Sequence, residues 1–112
     1  MGTSTLRRAK GPRKFLSRAR RALGFPIEVL QGAEEARLVY LAVGHDRGEA
    51  EGKRLVVDIG GDSTEIVLGD GLELLQVNCL QMGCVGFSLQ FFPDGQISRE
   101  AFKQAELAAR LP

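Results

Sequence analysis

Apolar positions along residues 12–23 recur with the period of a helix. Phe15, Leu16, Ala19, Ala22 and Leu23 fall on one face and the arginines take the other. Gly24 and Pro26 supply a stop. Residues 26–31 (Pro-Ile-Glu-Val-Leu-Gln) read as a short strand that Gly32 breaks. A second helix is predicted from Ala33 to about Val43, with Glu34 and Glu35 in the first turn, where acidic side chains favour the positive end of the helix dipole. Residues 44–53 are charged and glycine-containing, and read as a loop. Three strands are predicted next, over about 54–59, 64–69 and 72–80, with Asp70-Gly71 as a hairpin signal between the second and third. A turn at Gly83 leads to a mixed apolar stretch, Val85 to Phe92, and Pro93-Asp94-Gly95 is turn chemistry. Ser98 caps a last helix over 99–110, with Phe102, Ala105 and Ala109 on one face. This order of elements is α/β with an antiparallel portion.

The chain has 112 residues, room for one domain or a piece of a larger one. Folding at this size buries roughly 60–70% of the unfolded surface, enough for a modest core. Apolar residues make up 44% and charged residues 26%, the balance of a soluble globular protein. Net charge is +1, but its distribution is uneven: residues 1–21 hold eight Lys or Arg and no acid. No apolar run is long enough to span a bilayer, and no apolar signal-peptide core stands at the N-terminus, so a cytoplasmic location without membrane contact is expected. Cys79 and Cys84 lack metal or redox spacing and are expected to be reduced, structural thiols.

The candidate chemistry lies in residues 55–69, Leu-Val-Val-Asp-Ile-Gly-Gly-Asp-Ser-Thr-Glu-Ile-Val-Leu-Gly. A strand runs into a glycine turn with small hydroxyl residues, and a second strand leaves it. A Gly-Gly-x-Ser-Thr turn leaves backbone N–H groups uncovered, a concavity suited to anions and to phosphate above all. Asp58 enters the turn and Glu65 leaves it. Two carboxylates flanking a phosphate cradle suit a divalent cation such as Mg2+, which takes oxygen ligands and bridges to phosphate. The same pattern also fits an ordinary hairpin.

Four separated stretches carry a resemblance: Gly2-Thr3-Ser4-Thr5-Leu6-Arg7, Gly32-Ala33-Glu34-Glu35-Ala36-Arg37, Asp58-Ile59-Gly60-Gly61-Asp62-Ser63-Thr64-Glu65 and Met82-Gly83-Cys84-Val85. In order and spacing they resemble the exopolyphosphatase / guanosine pentaphosphate phosphatase family across nearly the whole chain. The resemblance implies an actin-like (ribonuclease H-like) ATPase-superfamily fold, partial here and spanning the hinge between two domains. Residues 1–42 would end the first domain and residues 43–112 would begin the second. It implies release of terminal phosphate from polyphosphate or guanosine pentaphosphate, with Mg2+, in a cleft between the domains, and a homodimer for the full-length protein. By the same resemblance Glu35 is the catalytic base and Arg7 a cleft arginine facing phosphate. Gly60, Gly61, Asp62 and Ser63 form the second phosphate-binding loop, and Asp58 and Glu65 are carboxylates near metal and substrate.

The chain begins downstream of the family's opening phosphate loop and ends before its later helices, so both ends look cut. Asp62 stands where the family has a third glycine, and an anion there is expected to weaken phosphate binding. Two other functions stay open. One is a phosphate or nucleotide binder without turnover. The other is a basic-helix binder of polyanions such as nucleic acid, against which stands the lack of aromatic residues beyond Phe15 for stacking on bases.

Overall fold

In the computed structural model, residues 1–46 and 52–110 are described. Five helices and three strands follow in the order α1 (Ser4–Arg8), α2 (Pro12–Leu23), α3 (Gly32–Asp46), β1 (Lys53–Ile59), β2 (Thr64–Asp70), β3 (Glu73–Leu80), α4 (Cys84–Phe91) and α5 (Arg99–Arg110). The strands form one antiparallel meander, β1-β2-β3. In its register Val56 lies opposite Val67 and Val67 opposite Val77. These valines share one face of the pleat, because side chains alternate along a strand.

Helix α3 packs on that face and contacts all three strands. The core is Ala36 and Tyr40 from α3 with Val56 and Val67 from the sheet, flanked by Val39, Val43, Leu74 and Val77. Tyr40 is fully buried, and its hydroxyl donates to the Gly71 carbonyl at 2.9 Å. Its ring lies against Gly69, where any Cβ would collide with it. That close approach explains a glycine inside β2, beside the irregularity in register between Leu68 and Gly69.

The opposite face of the sheet has no cover among the described residues. Leu55, Val57 and Ile59 point there and stay 51–66% exposed. Burying an aliphatic side chain of this size is worth about 1.5–3 kcal/mol, so three of them in water form an adhesive strip.

Helix α2 is bounded as its sequence requires. Pro12 occupies the first turn, where its missing N–H costs nothing, and Gly24 closes the helix in the left-handed region at φ 81°, donating to Arg20 O at 2.9 Å. Helix α5 is capped by Ser98, whose hydroxyl accepts from the Ala101 amide at 3.1 Å. Its Ala105 is buried, and α5 packs against α4.

Several expectations change. The strand expected over 26–31 is reduced to one parallel bridge between Val29 and Gly2, because among the described residues no second strand lies beside it. Ser4–Arg8, for which the sequence predicts no element, form a short helix, α1, and the undecided stretch 85–92 is largely helix α4. The loop expected over 44–53 yields residues 44–46 to α3 and Lys53 to β1, and its centre, 47–51, lies outside the described residues. Position 42/43, where the resemblance sets the domain boundary, lies within α3.

Candidate functional site

Two short backbone contacts bring the N-terminal segments together. The Gly2 amide donates to Glu28 O at 2.7 Å, and the Leu30 amide donates to Gly2 O at 2.9 Å. This bridge sets the start of α1 beside the start of α3. Gln31 caps α3: its carbonyl accepts from the Glu34 and Glu35 amides, and its own amide donates to Glu34 Oε2 at 2.9 Å. That reciprocal arrangement fixes the first turn and therefore where Glu35 stands.

The glycine loop between β1 and β2 is held from behind by α4. The Cys84 amide donates to Gly60 O, and the Val85 and Gly86 amides both donate to Gly61 O, at 2.9–3.0 Å. A trans peptide points its N–H opposite to its C=O. With the Gly60 and Gly61 carbonyls turned toward α4, the amides of Gly61 and Asp62 turn away from it. Among the described residues the amides of Gly61, Asp62 and Ser63 donate to no acceptor. The Gly60 amide donates to Ser63 O at 2.9 Å and closes the turn, and Thr64 Oγ1 donates to Met82 O at 2.7 Å. Gly83 makes this packing possible, since a Cβ there would lie 2.5 Å from the backbone of Gly61 and Asp62. Asp62 has no positive φ, so the residue that replaces a glycine brings no left-handed strain.

Between these two parts lies an open cleft of about 250 Å³. Thr3, Ser4, Thr5 and Glu35 line one side, and Gly60 to Ser63 with Val85 line the other. Arg7 stands behind Glu35. Its Nη1 donates to Glu35 Oε2 at 2.9 Å and to the Leu30 carbonyl at 2.5 Å. Both side chains of this ion pair are 18% exposed. Arg8 reaches across to Asp62 Oδ1 at 3.6 Å, a more exposed pair.

Asp58 and Glu65 face each other in register on β1 and β2, on the α3 side of the sheet. Glu65 is 2% exposed, and its Oε1 has no hydrogen-bond partner. A buried carboxylate oxygen without a partner is costly, and a cation or a ligand donor would satisfy it. Asp58 and Glu65 do not line the cleft itself, and no group of three or more His, Cys, Asp or Glu able to hold a metal is found among the described residues. Cys79 is the partner of Glu65 on β3, and its Sγ would meet a Cβ on Gly32 at 3.1 Å. Partial burial pushes the Cys79 thiol up from its ordinary value, and the charges of Glu65 and, more weakly, Glu35 add to this against the pull of Arg7. Arg7, Glu35, Glu65 and Cys79 thus form one electrostatic cluster beneath the cleft. Neither cysteine is in a disulfide.

The sequence profile of the Ppx/GppA phosphatase family matches residues 1–111. The chain belongs to this family. Solved structures agree. The Aquifex aeolicus PPX-GPPA enzyme is 38% identical over 92% of this chain and 34% of its own length, with a TM-score of 0.73. An exopolyphosphatase from Cytophaga hutchinsonii is 29% identical over 73% of this chain and 26% of its own, with a TM-score of 0.67. An exopolyphosphatase-like protein, also 29% identical, covers 92% of this chain and 34% of its own, with a TM-score of 0.78. The chain therefore spans about a third of the length of these relatives and carries part of the actin-like fold they share.

Within this Ppx/GppA chain the cleft joins Glu35 with Gly60, Gly61, Asp62 and Ser63, residues separated by a full strand in sequence. Arg7 does not line the cleft but holds Glu35 from behind. The hydroxyl run Thr3–Thr5 lines it, and so does Val85. The Thr3–Thr5 run belongs to the first of the four stretches that carry the family resemblance, but nothing in the sequence assigned it a wall of the cleft. Arg8 carries no signal of its own beyond its charge. Among the described residues no helix is long and apolar enough to cross a membrane.

Proposed function

We propose that this chain supplies a phosphate-binding cleft for the release of terminal phosphate from polyphosphate or guanosine pentaphosphate by attack of water. The observation that carries the reading is the cleft itself, with a carboxylate on one wall and three unengaged loop amides on the other. The starts of α1 and α3 on one side and the Gly60–Ser63 loop on the other would then face each other across it.

In this reading the amides of Gly61, Asp62 and Ser63 receive the oxygens of the terminal phosphoryl group. Preorganised donors of this kind stabilise charge as it develops without having to reorganise. Glu35 orients the attacking water and accepts its proton, a task worth about 10²–10⁴ in rate. Arg7 is a positioning residue: by bonding Glu35 Oε2 it fixes the carboxylate. Asp58 and Glu65 are the residues that would hold Mg2+, and the unpaired Glu65 Oε1 is an oxygen of the right kind. Two carboxylates fit a cation that takes its other ligands from water and substrate phosphates. Bound there, Mg2+ would offset the charge of the phosphate chain.

The test is Glu35→Gln, assayed for phosphate release from polyphosphate with Mg2+ and, in parallel, for tripolyphosphate binding. Release should fall by about 10² or more with binding kept within a few-fold. Equal release by both proteins would remove Glu35 from the chemistry. A second reading, binding without turnover, is favoured by Asp62, whose carboxylate sits in the phosphate loop. Wild-type chain that binds tripolyphosphate and releases nothing would select it.

A further inference from the structure

We propose that the basic face of α2 binds the body of a linear polyphosphate chain, as a second site outside the cleft. The choice of ligand rests on the phosphate-releasing reading above; the surface itself does not. Arg13, Lys14, Arg18, Arg20 and Arg21 lie on one side of α2, and Phe15, Leu16, Ala19, Ala22 and Leu23 on the other. Arg13, Lys14, Ser17, Arg18 and Arg21 border a shallow groove of about 410 Å³. Among the described residues none of these five cations is in an ion pair, and residues 1–21 contain no acid to neutralise them. Uncompensated cations along one helix face are a surface in search of an anion of matching repeat. Lys14, Arg18 and Arg21 follow one another at about 6 and 4.5 Å along the axis.

The surface follows the cleft residues closely along the chain. Arg7 and Arg8 stand at the cleft on α1, Lys10 follows, and Gly11 turns the chain into α2 at φ 67°. Arg13 is five positions beyond Arg8, so the basic face begins within about 18 Å of Arg8, whose side chain pairs with Asp62 of the cleft, and α2 itself is about 18 Å long. A phosphate chain with its end in the cleft meets this face next. Membrane binding would use the other side of the helix, where Phe15 and Leu23 are at least half exposed. Nucleic-acid binding would want aromatic residues among the cations, and Phe15 points away from them.

The experiment compares the 112-residue wild type with the triple variant Lys14→Gln, Arg18→Gln, Arg21→Gln. Glutamine keeps helix propensity, and α2 buries none of its residues, so the variant should fold. Binding of long-chain polyphosphate and of tripolyphosphate is titrated over a range of salt. Long-chain affinity should fall at least tenfold, with the slope of log K against log salt reduced by about 2. Tripolyphosphate affinity should stay within twofold. Unchanged long-chain affinity would overturn the proposal. So would tighter binding of duplex DNA, or of phosphatidylserine vesicles, at equal charge concentration with the same sensitivity to the three substitutions. Tripolyphosphate that fails to bind wild type, while long chains still require α2, would sink the cleft reading and leave this one standing.

Discussion

Arg7 is the residue whose removal tests how the site is held. Arg7→Met keeps the aliphatic stem and deletes the guanidinium, leaving Glu35 Oε2 and the Leu30 carbonyl without their donor. A hydrogen bond to a charged group is worth about 1.5–3 kcal/mol, and breaking a fully buried ion pair costs about 3–5 kcal/mol. At 18% exposure water reaches Glu35 in part, so the expected loss lies near the lower figures, about 2–3 kcal/mol. For a chain of this size that corresponds to a fall in Tm of about 8–12 °C. The assay is thermal unfolding followed by circular dichroism, on wild type, Arg7→Met, Glu35→Gln and the double variant. The cycle should give a coupling of about 1.5 kcal/mol, because the second substitution removes a charge the first has already orphaned. A Tm change under about 3 °C, with additive single effects, would mean that Arg7 does not hold Glu35 in solution.

The glycine loop should respond position by position in urea unfolding. Gly83→Ala places a methyl 2.5 Å from the Gly61 and Asp62 backbone and should cost about 1–3 kcal/mol. Gly61→Ala meets only Val85 Cγ2 at 3.5 Å, with no positive φ, and should be neutral or stabilising by up to about 1 kcal/mol; a reversed order would refute the packing of the loop on α4. Asp62→Asn removes a carboxylate from the phosphate loop and frees Arg8, so tripolyphosphate affinity by calorimetry should rise about tenfold at low salt, with stability changed by less than about 1 kcal/mol. Unaltered affinity would show that Asp62 does not face the ligand. For Cys79, the raised thiol value means the folded chain keeps the proton beyond the ordinary 9.0. In a Cys84→Ser background, iodoacetamide should therefore alkylate native Cys79 more slowly than the urea-unfolded chain at pH 8–9. The matching stability is present below the unfolded value and lost as pH rises through the folded one. Equal alkylation rates would contradict the raised thiol value of the folded chain.

The elements that the sequence makes plain are those whose pattern is local. The β2–β3 hairpin follows from apolar periodicity around Asp70-Gly71, and α2 and α5 from a helical stripe with caps at hand. Residues 26–31 have strand composition, but a strand exists only beside another, and Gly2 offers a single bridge. In α4, Val85, Phe87, Leu89 and Phe91 alternate as in a strand, while the loop carbonyls that accept from its first turn favour a helix there. Those carbonyls are a tertiary fact with no sequence signature. The cleft repeats the lesson. The Gly60–Ser63 turn shows its character in residue type, whereas Glu35 is singled out only through the family resemblance. That Arg7 grips Glu35 from behind, and that Arg8 rather than Arg7 reaches the phosphate loop, depends on how α1 is pinned by the Gly2–Val29 bridge.

The most direct test of the cleft is a backbone amide NMR titration of the chain with tripolyphosphate and Mg2+. The largest shifts should fall on Gly61, Asp62 and Ser63, whose amides lack an acceptor, and on the first turn of α3 around Glu35, with α5 unmoved. Shifts confined to α2, or spread without preference while the loop amides stay still, would contradict the cleft as a phosphate site.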